Sequence, residues 1–281
     1  MYNLSSYFDH VANKYDETRH IPERSFQKII DFIIDITALD IHHSKILDIG
    51  VGTGRTALPL VEMGYEYTGV DISKNMLSQF LIKLGGHIPK NLTLLHQDLL
   101  DIHFLDKSFS HIFSYHVLYF IEEKSLLIEK IKRLLKDGGT YIHCDEILLN
   151  NFYIDDLTKQ WYMLASQGNR KLEEMLAESD GTISDKEDVV YKLKSTLEQL
   201  HFKTEIIKGP KWIQKMSKSD LISYFENRRD IYTGHLTEAE RERIFMEWKT
   251  IVDKKWGSTP EKFIRKQLYV LKFVKEGEHT C

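Results

Sequence analysis

The chain has 281 residues, of which 42% are hydrophobic and 28% charged, and its formal net charge is −4. This length suffices for a large domain with a well-buried core, and so small a charge favours neither nucleic acid nor an anionic membrane as a partner. The charge is uneven, since residues 1–202 carry 21 basic and 30 acidic side chains whereas residues 203–281 carry 17 and 12. The basic final third could face an anionic substrate, although a solvated helical face explains it better.

The cysteines and the N-terminal pattern indicate a compartment. Two cysteines, Cys144 and Cys281, do not make the framework of a disulfide-rich secreted domain. The first residues lack the basic segment and apolar core of a signal peptide. The apolar stretch at residues 29–41 contains three aspartates before its last residue, which makes it unsuitable as a membrane span. We therefore expect a cytoplasmic protein without a membrane-spanning segment.

The first half of the chain predicts alternating strands and helices. A short amphipathic helix is predicted around residues 7–15, and a second one begins at Pro22 and runs toward Leu39. Further helical segments are predicted at 54–63, 74–84 and 123–136. The predicted strands are Lys45–Ile49, Tyr67–Val70, Leu92–His96, His111–Tyr115 and Thr140–Cys144. This alternation is typical of a doubly wound, mostly parallel α/β sheet with helices on both faces.

The alternation ends after Glu146. A helical pattern covers residues 150–180 and 217–256, and between them lie an amphipathic helix at 185–200 and a strand at Phe202–Ile207. A strand at Gln267–Val274 closes the chain. We predict that two helical insertions cap the carboxyl edge of the sheet, where open α/β sheets bind ligands. The predicted division is N-terminal helices over the ligand site (1–40), an α/β core (41–149), a helical insertion (150–184), a crossover helix and strand (185–209), a second helical insertion (210–262), and a final strand and tail (263–281).

A glycine-rich turn follows the first predicted strand. Gly50, Gly52 and Gly54 alternate there, and glycine allows both a tight turn and close approach of a ligand. A dinucleotide-binding turn would need glycine at position 55, where this chain has Arg55, and the Gly-Lys-Ser/Thr pattern of a phosphate loop is absent. Asp48, two residues before the first glycine, suits a cationic ammonium group and would repel a pyrophosphate.

Two further carboxylates end predicted strands. Asp71 lies 21 residues after the first glycine of the turn, where a carboxylate can bind both hydroxyls of a ribose. Asp98 and Leu99 place a carboxylate beside a backbone N–H, and this pair can bind the amino and ring-nitrogen edge of an adenine. Ile72 and Met76 can pack against the face of that ring. The sequence thus predicts a nucleoside site along the strand ends.

With the segments FSHIFSYHVL and RLLKDGGTYI, this ordered set resembles the class I S-adenosylmethionine-dependent methyltransferases. It is most similar to the branch of ubiquinone- and menaquinone-biosynthesis (type 11) enzymes, over roughly residues 5–145 and the last crossover and strand. The resemblance implies a seven-stranded Rossmann-like sheet, S-adenosylmethionine as cofactor and S-adenosylhomocysteine as product. It also implies that the glycine turn supports the methionine half of the cofactor. The residues implied near the amino-acid end of the cofactor are Ser114, through its backbone, Tyr15 and Arg19.

Catalytic and substrate-binding candidates follow from the reaction. A sulfonium methyl group is a strong electrophile, so the protein must position a nucleophile, exclude water and, for a hydroxyl or ammonium nucleophile, remove a proton. His116 and Tyr115 follow the fourth predicted strand and are the catalytic candidates, although a structural histidine explains His116 equally well. Substrate contacts are predicted for Tyr119, Trp161 and Arg228. The tryptophan also fits the core of a cap, and the arginine also fits a surface position.

We predict transfer of a methyl group to an oxygen or nitrogen atom of a small-molecule acceptor by a monomer or homodimer. No metal is expected, because the histidines and cysteines lack metal-ligand spacing. The branch often has aspartate where this chain has Ser110 and histidine where it has Tyr119. The Asn/Asp-Pro-Pro-Tyr motif of base methylation is absent, which disfavours nucleic acid. An RNA or protein acceptor, or a reaction of the same cofactor without methyl transfer, stays open, whereas Arg55 and Asp48 disfavour a nicotinamide dehydrogenase.

Overall fold

A seven-stranded sheet forms the centre of the computed structural model, which describes residues 4–149, 152–166, 186–227, 233 and 235–276. The strands are β1 (Lys45–Ile49), β2 (Glu66–Asp71), β3 (Leu92–His96), β4 (Phe109–Tyr115), β5 (Leu135–Leu149), β6 (Glu205–Ser217) and β7 (Glu261–Val274). Their order in the sheet is β3-β2-β1-β4-β5-β7-β6. The pairs among β1 to β5 are parallel, and β7 runs antiparallel to both of its neighbours. The predicted doubly wound α/β class is confirmed.

Helices pack against both faces of the sheet. The α-helices in the described part of the chain are α1 (Leu4–Val11), α2 (Glu23–Thr37), α3 (Ala57–Glu62), α4 (Lys74–Lys83), α5 (Lys124–Leu134), α6 (Phe152–Ala165), α7 (Lys186–Gln199), α8 (Lys218–Glu226) and α9 (Glu238–Trp256). Short 3₁₀ turns lie at Glu17–Arg19, Leu99–Asp101 and Leu118–Phe120, among others. Each crossover between parallel strands thus contains a helix or a helical turn, as such connections require.

Two hydrophobic layers follow from the alternation of side chains along each strand. In β1, Ile46 packs with α2, α3 and α4 on one face, whereas Leu47 packs with α5 and α7 on the other. The first layer includes Ile33 and Phe80, and both are completely shielded. Successive residues of a strand point to opposite faces, so a strand covered on both sides is apolar throughout. This burial fixes the register of the sheet.

Helices α6, α8 and α9 form a third hydrophobic cluster, which we call the helical cap. Trp161, Phe225 and Trp248 lie at its centre, with ring centroids 4.8–5.7 Å apart. Capping boxes begin the last two helices, because Ser217 and Thr237 each exchange hydrogen bonds with an acid three residues later. The cap therefore has its own core, as the aromatic pattern of this region predicts.

The last three strands are longer than the sequence predicts. The strand predicted at Phe202–Ile207 is β6, which begins at Glu205 and continues to Ser217. The next helix starts at Lys218, close to the start of the helical pattern at 217, whereas the boundary of the second insertion at 210 falls within β6. Gly209 and Pro210 suggest a strand end, but the structure accommodates them as a bulge between Lys208 and Lys211. Residues 150, 151 and 167–184 of the first predicted insertion lie outside the described residues.

Candidate active site

A cavity of about 500 Å³ lies at the carboxyl ends of β1, β2 and β4. Eight of the predicted cofactor residues line it, together with both catalytic candidates. These residues are Tyr15, Gly50, Gly52, Asp71, Ile72, Met76, Asp98, Leu99, Tyr115 and His116. The lining residues that sequence reasoning did not select are Phe8, Val70, Gln97, Leu100, Val117, Phe120, Ile121, Glu122 and Glu123. Most of these nine residues are sequence neighbours of a predicted site residue. Their position next to a strand end could therefore have identified them.

The glycine turn forms one wall of the cavity, and its glycines differ in role. Gly50 and Gly52 both have positive φ, at 77° and 56°. A Cβ on Gly50 would lie 2.4 Å from a methyl carbon of Val117, so this glycine allows close packing. A Cβ on Gly52 would instead point into open space, with its nearest atom, Gly50 O, at 3.9 Å. Because Gly52 lines the cavity, that space is where a bound ligand can approach the backbone.

Asp71 ends β2 and is held by the turn. Its Oδ2 accepts a hydrogen bond from Gly52 N and its Oδ1 accepts one from Ser73 N, each at 2.8 Å. Burial raises the pKa of this carboxyl above its usual value, and the two backbone hydrogen bonds oppose that rise. Each oxygen still has a lone pair, so the carboxylate can accept from two vicinal hydroxyls as a ribose would present them.

Asp98 begins the 3₁₀ turn after β3 and lines the cavity. Its Oδ1 accepts a hydrogen bond from Leu100 N at 2.8 Å, which fixes the backbone of that turn. Lys130 of α5 is bound to the same loop, since its ammonium group donates hydrogen bonds to the carbonyls of Leu99, Leu100 and Ile102. An ammonium group on three carbonyls makes the loop rigid. The loop is therefore shaped before a ligand binds.

The N-terminal segment covers the cavity. Phe8 of α1 packs edge-on against Phe120 with ring centroids 5.3 Å apart, and both rings line the cavity. Asp9 accepts hydrogen bonds from Ser73 Oγ at 2.6 Å and from Asn75 N at 3.0 Å, which anchors α1 to the start of α4. These contacts make the first helix part of the site.

A second anchor follows in the N-terminal segment. Asp16 accepts a hydrogen bond from Thr53 Oγ1 at 2.7 Å and forms an ion pair of 2.5 Å with Lys83. The guanidinium of Arg19 stacks 3.7 Å from the ring centroid of Tyr15. Of these residues Tyr15 lines the cavity and Arg19 does not. The segment is therefore attached to the glycine turn as well as to α4.

Three more predicted cofactor residues do not line the cavity: Asp48, Gly54 and Ser114. Asp48 is buried beneath the turn and accepts a hydrogen bond from Tyr67 OH at 2.7 Å. Burial raises the pKa of Asp48 to about 7, and the hydrogen bond from Tyr67 opposes the rise. A Cβ on Gly54 would meet the ring of Phe80 at 2.2 Å, so this glycine allows α4 to pack closely. The hydroxyl of Ser114 contacts buried neighbours in the sheet.

His116 follows β4 and lines the cavity. Its φ of 57° lies in the left-handed region, which histidine adopts more readily than most residues do. Its Nδ1 lies 2.9 Å from Asp145 Oδ1, and its Nε2 lies 3.7 Å from Glu146 Oε1. Burial lowers the pKa of His116, but the hydrogen bonds and charges of the two carboxylates outweigh burial and raise the pKa overall. The pair at the end of β5 thus controls the protonation of this imidazole.

Glu146 is the centre of a buried charge network. Its Oε1 accepts a hydrogen bond from Arg55 Nη2 at 2.7 Å and one from Tyr115 OH at 3.2 Å, and its Oε2 lies 3.3 Å from Lys266 Nζ. Burial raises the pKa of Glu146, but the two cations and His116 lower it well below its usual value. Arg55 also donates to the carbonyl of Arg19 at 2.7 Å. The network therefore connects the turn after β1 with β5 and β7.

The predicted substrate residues occupy different places. Tyr119 is exposed and donates a hydrogen bond to Asp145 Oδ2 at 2.7 Å, and its ring centroid lies 6.1 Å from that of His143. Trp161 is completely shielded within the helical cap and does not line the cavity. That position favours the core interpretation of its aromatic ring. Arg228 lies outside the described residues.

Asp145 and Glu146 were not selected from the sequence. Both residues lie just after a predicted strand, as Asp71 and Asp98 do. That position at the end of a strand could have identified them. Among the described residues no cluster of three or more His, Cys, Asp or Glu side chains could hold a metal ion. In the same part of the chain, no helix is long and apolar enough to span a membrane.

Comparison with known proteins agrees with this geometry. Residues 47–143 match the methyltransferase domain family. An uncharacterized methyltransferase of Bacillus licheniformis is 30% identical over 150 residues, which span 51% of this chain and 67% of that protein. Demethylmenaquinone methyltransferase of Clavibacter sepedonicus is 25% identical over 142 residues, or 50% of this chain and 57% of that protein. The chain thus spans little more than half the length of the second relative.

A solved structure shows the same fold over nearly the whole chain. Phosphoethanolamine N-methyltransferase 2 of Haemonchus contortus, in complex with phosphomonomethylethanolamine and S-adenosylhomocysteine, matches with a TM-score of 0.54 and 14% identity. The match covers 99% of this chain and 61% of that chain. The fold, the cavity and the sequence matches together define a class I S-adenosylmethionine-dependent methyltransferase. Within that class, the chain belongs to the type 11 group, and S-adenosylmethionine is its cofactor.

Proposed function

We propose that this methyltransferase transfers the methyl group to an oxygen or nitrogen atom of a small organic acceptor, with His116 as general base. One observation carries the proposal. His116, held by Asp145, lines the same cavity as the glycine turn and the carboxylates of Asp71 and Asp98. A base at this place could remove a proton from a hydroxyl or ammonium group during the transfer. S-adenosylmethionine, when bound, supplies an electrophilic methyl group.

The fit of the cofactor rests on the chain's own residues. We assign Asp71 to the ribose hydroxyls and the Asp98–Leu99 pair to the adenine edge, since both carboxylates line the cavity. The open space beside Gly52 would admit the methionine half. Ile72 and Met76 would pack against the adenine face.

The size of the site supports a small acceptor. Phe8, Tyr15 and Phe120 line the cavity, and its volume of about 500 Å³ is typical of sites for small molecules. A nucleic-acid acceptor would need an open cationic surface, and among the described residues no Lys or Arg lines this cavity. The matched parasite enzyme binds phosphomonomethylethanolamine, which is itself a small molecule. We also propose that the helical cap shapes the acceptor side of the site.

The geometry of His116 suits a base when the imidazole is neutral. Asp145 is ionised because its contacts with His143 and His116 lower its pKa, although burial opposes this. An ionised carboxylate 2.9 Å from Nδ1 favours the proton on that nitrogen. The lone pair of a neutral imidazole is then on Nε2. The Nε2 atom is thus the one that would receive a proton from the acceptor.

A labelled-methyl assay tests the proposal. The protein is incubated with methyl-labelled S-adenosylmethionine and pools of small amines, phenols and carboxylic acids, and the label is followed by mass spectrometry. Label in a product that an Asp71→Ala variant does not form would support the proposal. Label found only in RNA or protein would overturn the small-molecule acceptor, and turnover of an acceptor with the label retained in the cofactor would overturn methyl transfer itself.

A further inference from the structure

A second histidine lies behind the carboxylate that holds His116. His143 is on β5, two residues before Asp145, and its side chain is completely shielded from solvent. Its Nε2 lies 3.1 Å from Asp145 Oδ2, and its Nδ1 lies 2.7 Å from Ser114 Oγ. Ser114 Oγ is in turn 2.9 Å from Tyr141 OH. These contacts form one continuous row of polar groups that ends at Asp145.

The positions of the protons along this row follow from the charge on Asp145. With a proton on Nδ1 alone, His143 would direct the Nε2 lone pair at an ionised carboxylate 3.1 Å away, which is repulsive. The tautomer with a proton on Nε2 avoids this repulsion. Its Nδ1 then accepts from Ser114, and the hydroxyl of Ser114 accepts from Tyr141. Burial raises the pKa of Tyr141, so its phenol keeps the proton that this arrangement needs.

Asp145 is therefore faced by three donors. Two of these make hydrogen bonds, His116 Nδ1 to Oδ1 and Tyr119 OH to Oδ2, whereas His143 Nε2 lies 3.1 Å from Oδ2 as a polar contact that falls short of hydrogen-bond geometry. A carboxylate that shares its charge among more donors attracts each of them less. The proton affinity of His116 then depends on a residue that does not touch its ring.

The remaining charged groups around His116 are held by other partners. Glu146 lies 3.7 Å from Nε2, but Arg55 and Lys266 neutralise much of its charge. The ring of Tyr115 packs 4.8 Å from the imidazole, between centroids, and its hydroxyl donates to Glu146. Asp145 is thus the group through which a change near His143 would reach His116.

We propose that His143 is a positioning residue that acts through Asp145 to set the tautomer and the basicity of His116. This inference rests on the proposed role of His116 as the base. In physical terms, His143 withdraws negative charge from Asp145 and so limits the rise that this carboxylate causes in the pKa of His116. Its rigid attachment to Ser114 and Tyr141 maintains this effect throughout the reaction.

The test is a titration of the histidine side chains by ¹⁵N NMR in the full-length protein. In the wild type, the ¹⁵N shifts of His143 should show the proton on Nε2, and a proton on Nδ1 alone would overturn the inference. In His143→Phe, which keeps a ring but no donor, the pKa of His116 should rise by about 0.5–1 unit, the equivalent of one neutral hydrogen bond. The rising limb of the plot of kcat against pH should move to higher pH by the same amount.

His111→Phe is the matched control. His111 is also a buried histidine on a neighbouring strand, but it contacts Ser110 and the carbonyl of Thr37 rather than Asp145. It should leave the titration of His116 unchanged. If His143→Phe fails to fold, Ser114→Ala replaces it, since losing the partner of Nδ1 should mix the tautomers of His143 and shift His116 upward.

An unchanged pKa of His116 in folded His143→Phe, or in folded Ser114→Ala where that variant replaces it, would overturn the inference. The titration needs neither acceptor nor turnover, so it fails separately from the proposed function. If His116→Asn has full activity while the titration shifts as expected, the base assignment is wrong and the influence of His143 on His116 is real.

Discussion

The backbone N–H of Gly52 donates a hydrogen bond of 2.8 Å to Oδ2 of Asp71. The turn after β1 and the end of β2 are therefore one unit, and a change in either residue should affect the other. In an open α/β sheet this junction is adjacent to the point where the strand order reverses, between β1 and β4.

Asp71→Ala should weaken the binding of S-adenosylmethionine by about 1–3 kcal/mol, the free energy of charge-assisted bonds to two hydroxyls. Isothermal titration calorimetry measures the change, and circular dichroism shows whether the loss of the two backbone hydrogen bonds has unfolded the turn. Unchanged affinity in the folded variant would refute the ribose assignment.

Gly52→Ala should abolish cofactor binding, because its Cβ would occupy the open space of the cavity. Positive φ adds a cost in stability that is unrelated to the ligand. Gly85→Ala is the matched control, since Gly85 also has positive φ, at 67°, and no atom lies within 4 Å of its added Cβ. Both variants should lose about 1 kcal/mol in urea unfolding, and only Gly52→Ala should lose affinity. Tight binding by Gly52→Ala would mean that the turn has no role beyond its shape.

His116→Asn should lower kcat by about 10²–10⁴-fold and leave cofactor affinity nearly unchanged. Asparagine tolerates positive φ and can still donate to Asp145, so the variant removes the base with little backbone strain. His201→Asn is the control, because His201 has a φ of 56° in the loop after α7. Steady-state kinetics give kcat for both variants. A loss in kcat of less than about tenfold in His116→Asn would mean that the residue positions the acceptor and is not the base.

The pH dependence of kcat has a defined direction. Since the pKa of His116 is raised, the imidazole is protonated below that value and cannot accept a proton. Activity should therefore rise with pH through a pKa above the usual value of about 6.5. A rate that falls with pH through this range would indicate that the protonated imidazole is the active form.

Trp161→Ala should lower the free energy of unfolding by about 3–5 kcal/mol, as expected for an aromatic ring at the centre of a core. Trp161→Phe should cost much less, because it keeps the ring contacts and removes a buried Nε1–H that has no hydrogen-bond partner among the described residues. Chemical denaturation gives both values. Unchanged stability together with a raised KM for the acceptor would instead favour the substrate contact.

Asp48 should make the folded state less stable as the pH rises. Its pKa is about 7 in the folded protein and about 4 in an unfolded chain, so the folded state binds the extra proton between these values. Its contribution to stability is therefore present below about pH 4 and is lost as the pH rises through 7. Asp48→Asn should be more stable than the wild type at pH 8 and not at pH 4, as measured by urea unfolding. Equal slopes against pH for the two proteins would contradict this.

Local patterns predicted the first part of the fold well, and the reason is physical. The strands β1 to β4 are short apolar runs bounded by turns, and their predicted bounds lie within two residues of those observed. The lengths of β5, β6 and β7 were not predictable, because polar residues continue these strands through pairing with a neighbour. Ser217 and Glu261, for example, pair across 44 positions of sequence, and both lie outside the predicted strands.

The candidate site divides in the same way. Residues at strand ends, such as Asp71 and Asp98, could be selected because topology brings strand ends to one edge. The network around Glu146 could not, since Arg55 and Lys266 are 91 and 120 residues away in sequence. The role of Lys130 was hidden for the same reason, because only the fold places its ammonium group on the Leu99–Ile102 loop.

The long antiparallel pairing of β6 with β7 has a mechanical consequence. Helix α8 begins directly after β6, and β7 begins five residues after α9 ends, so the helical cap is attached to the sheet through a hydrogen-bonded ribbon. A bulge between Lys208 and Lys211 interrupts this ribbon, and such a bulge bends its strand and increases the local twist. We therefore expect the cap to admit an acceptor by torsion about the strand axis, so that the stiffness of the ribbon would set how often the site opens.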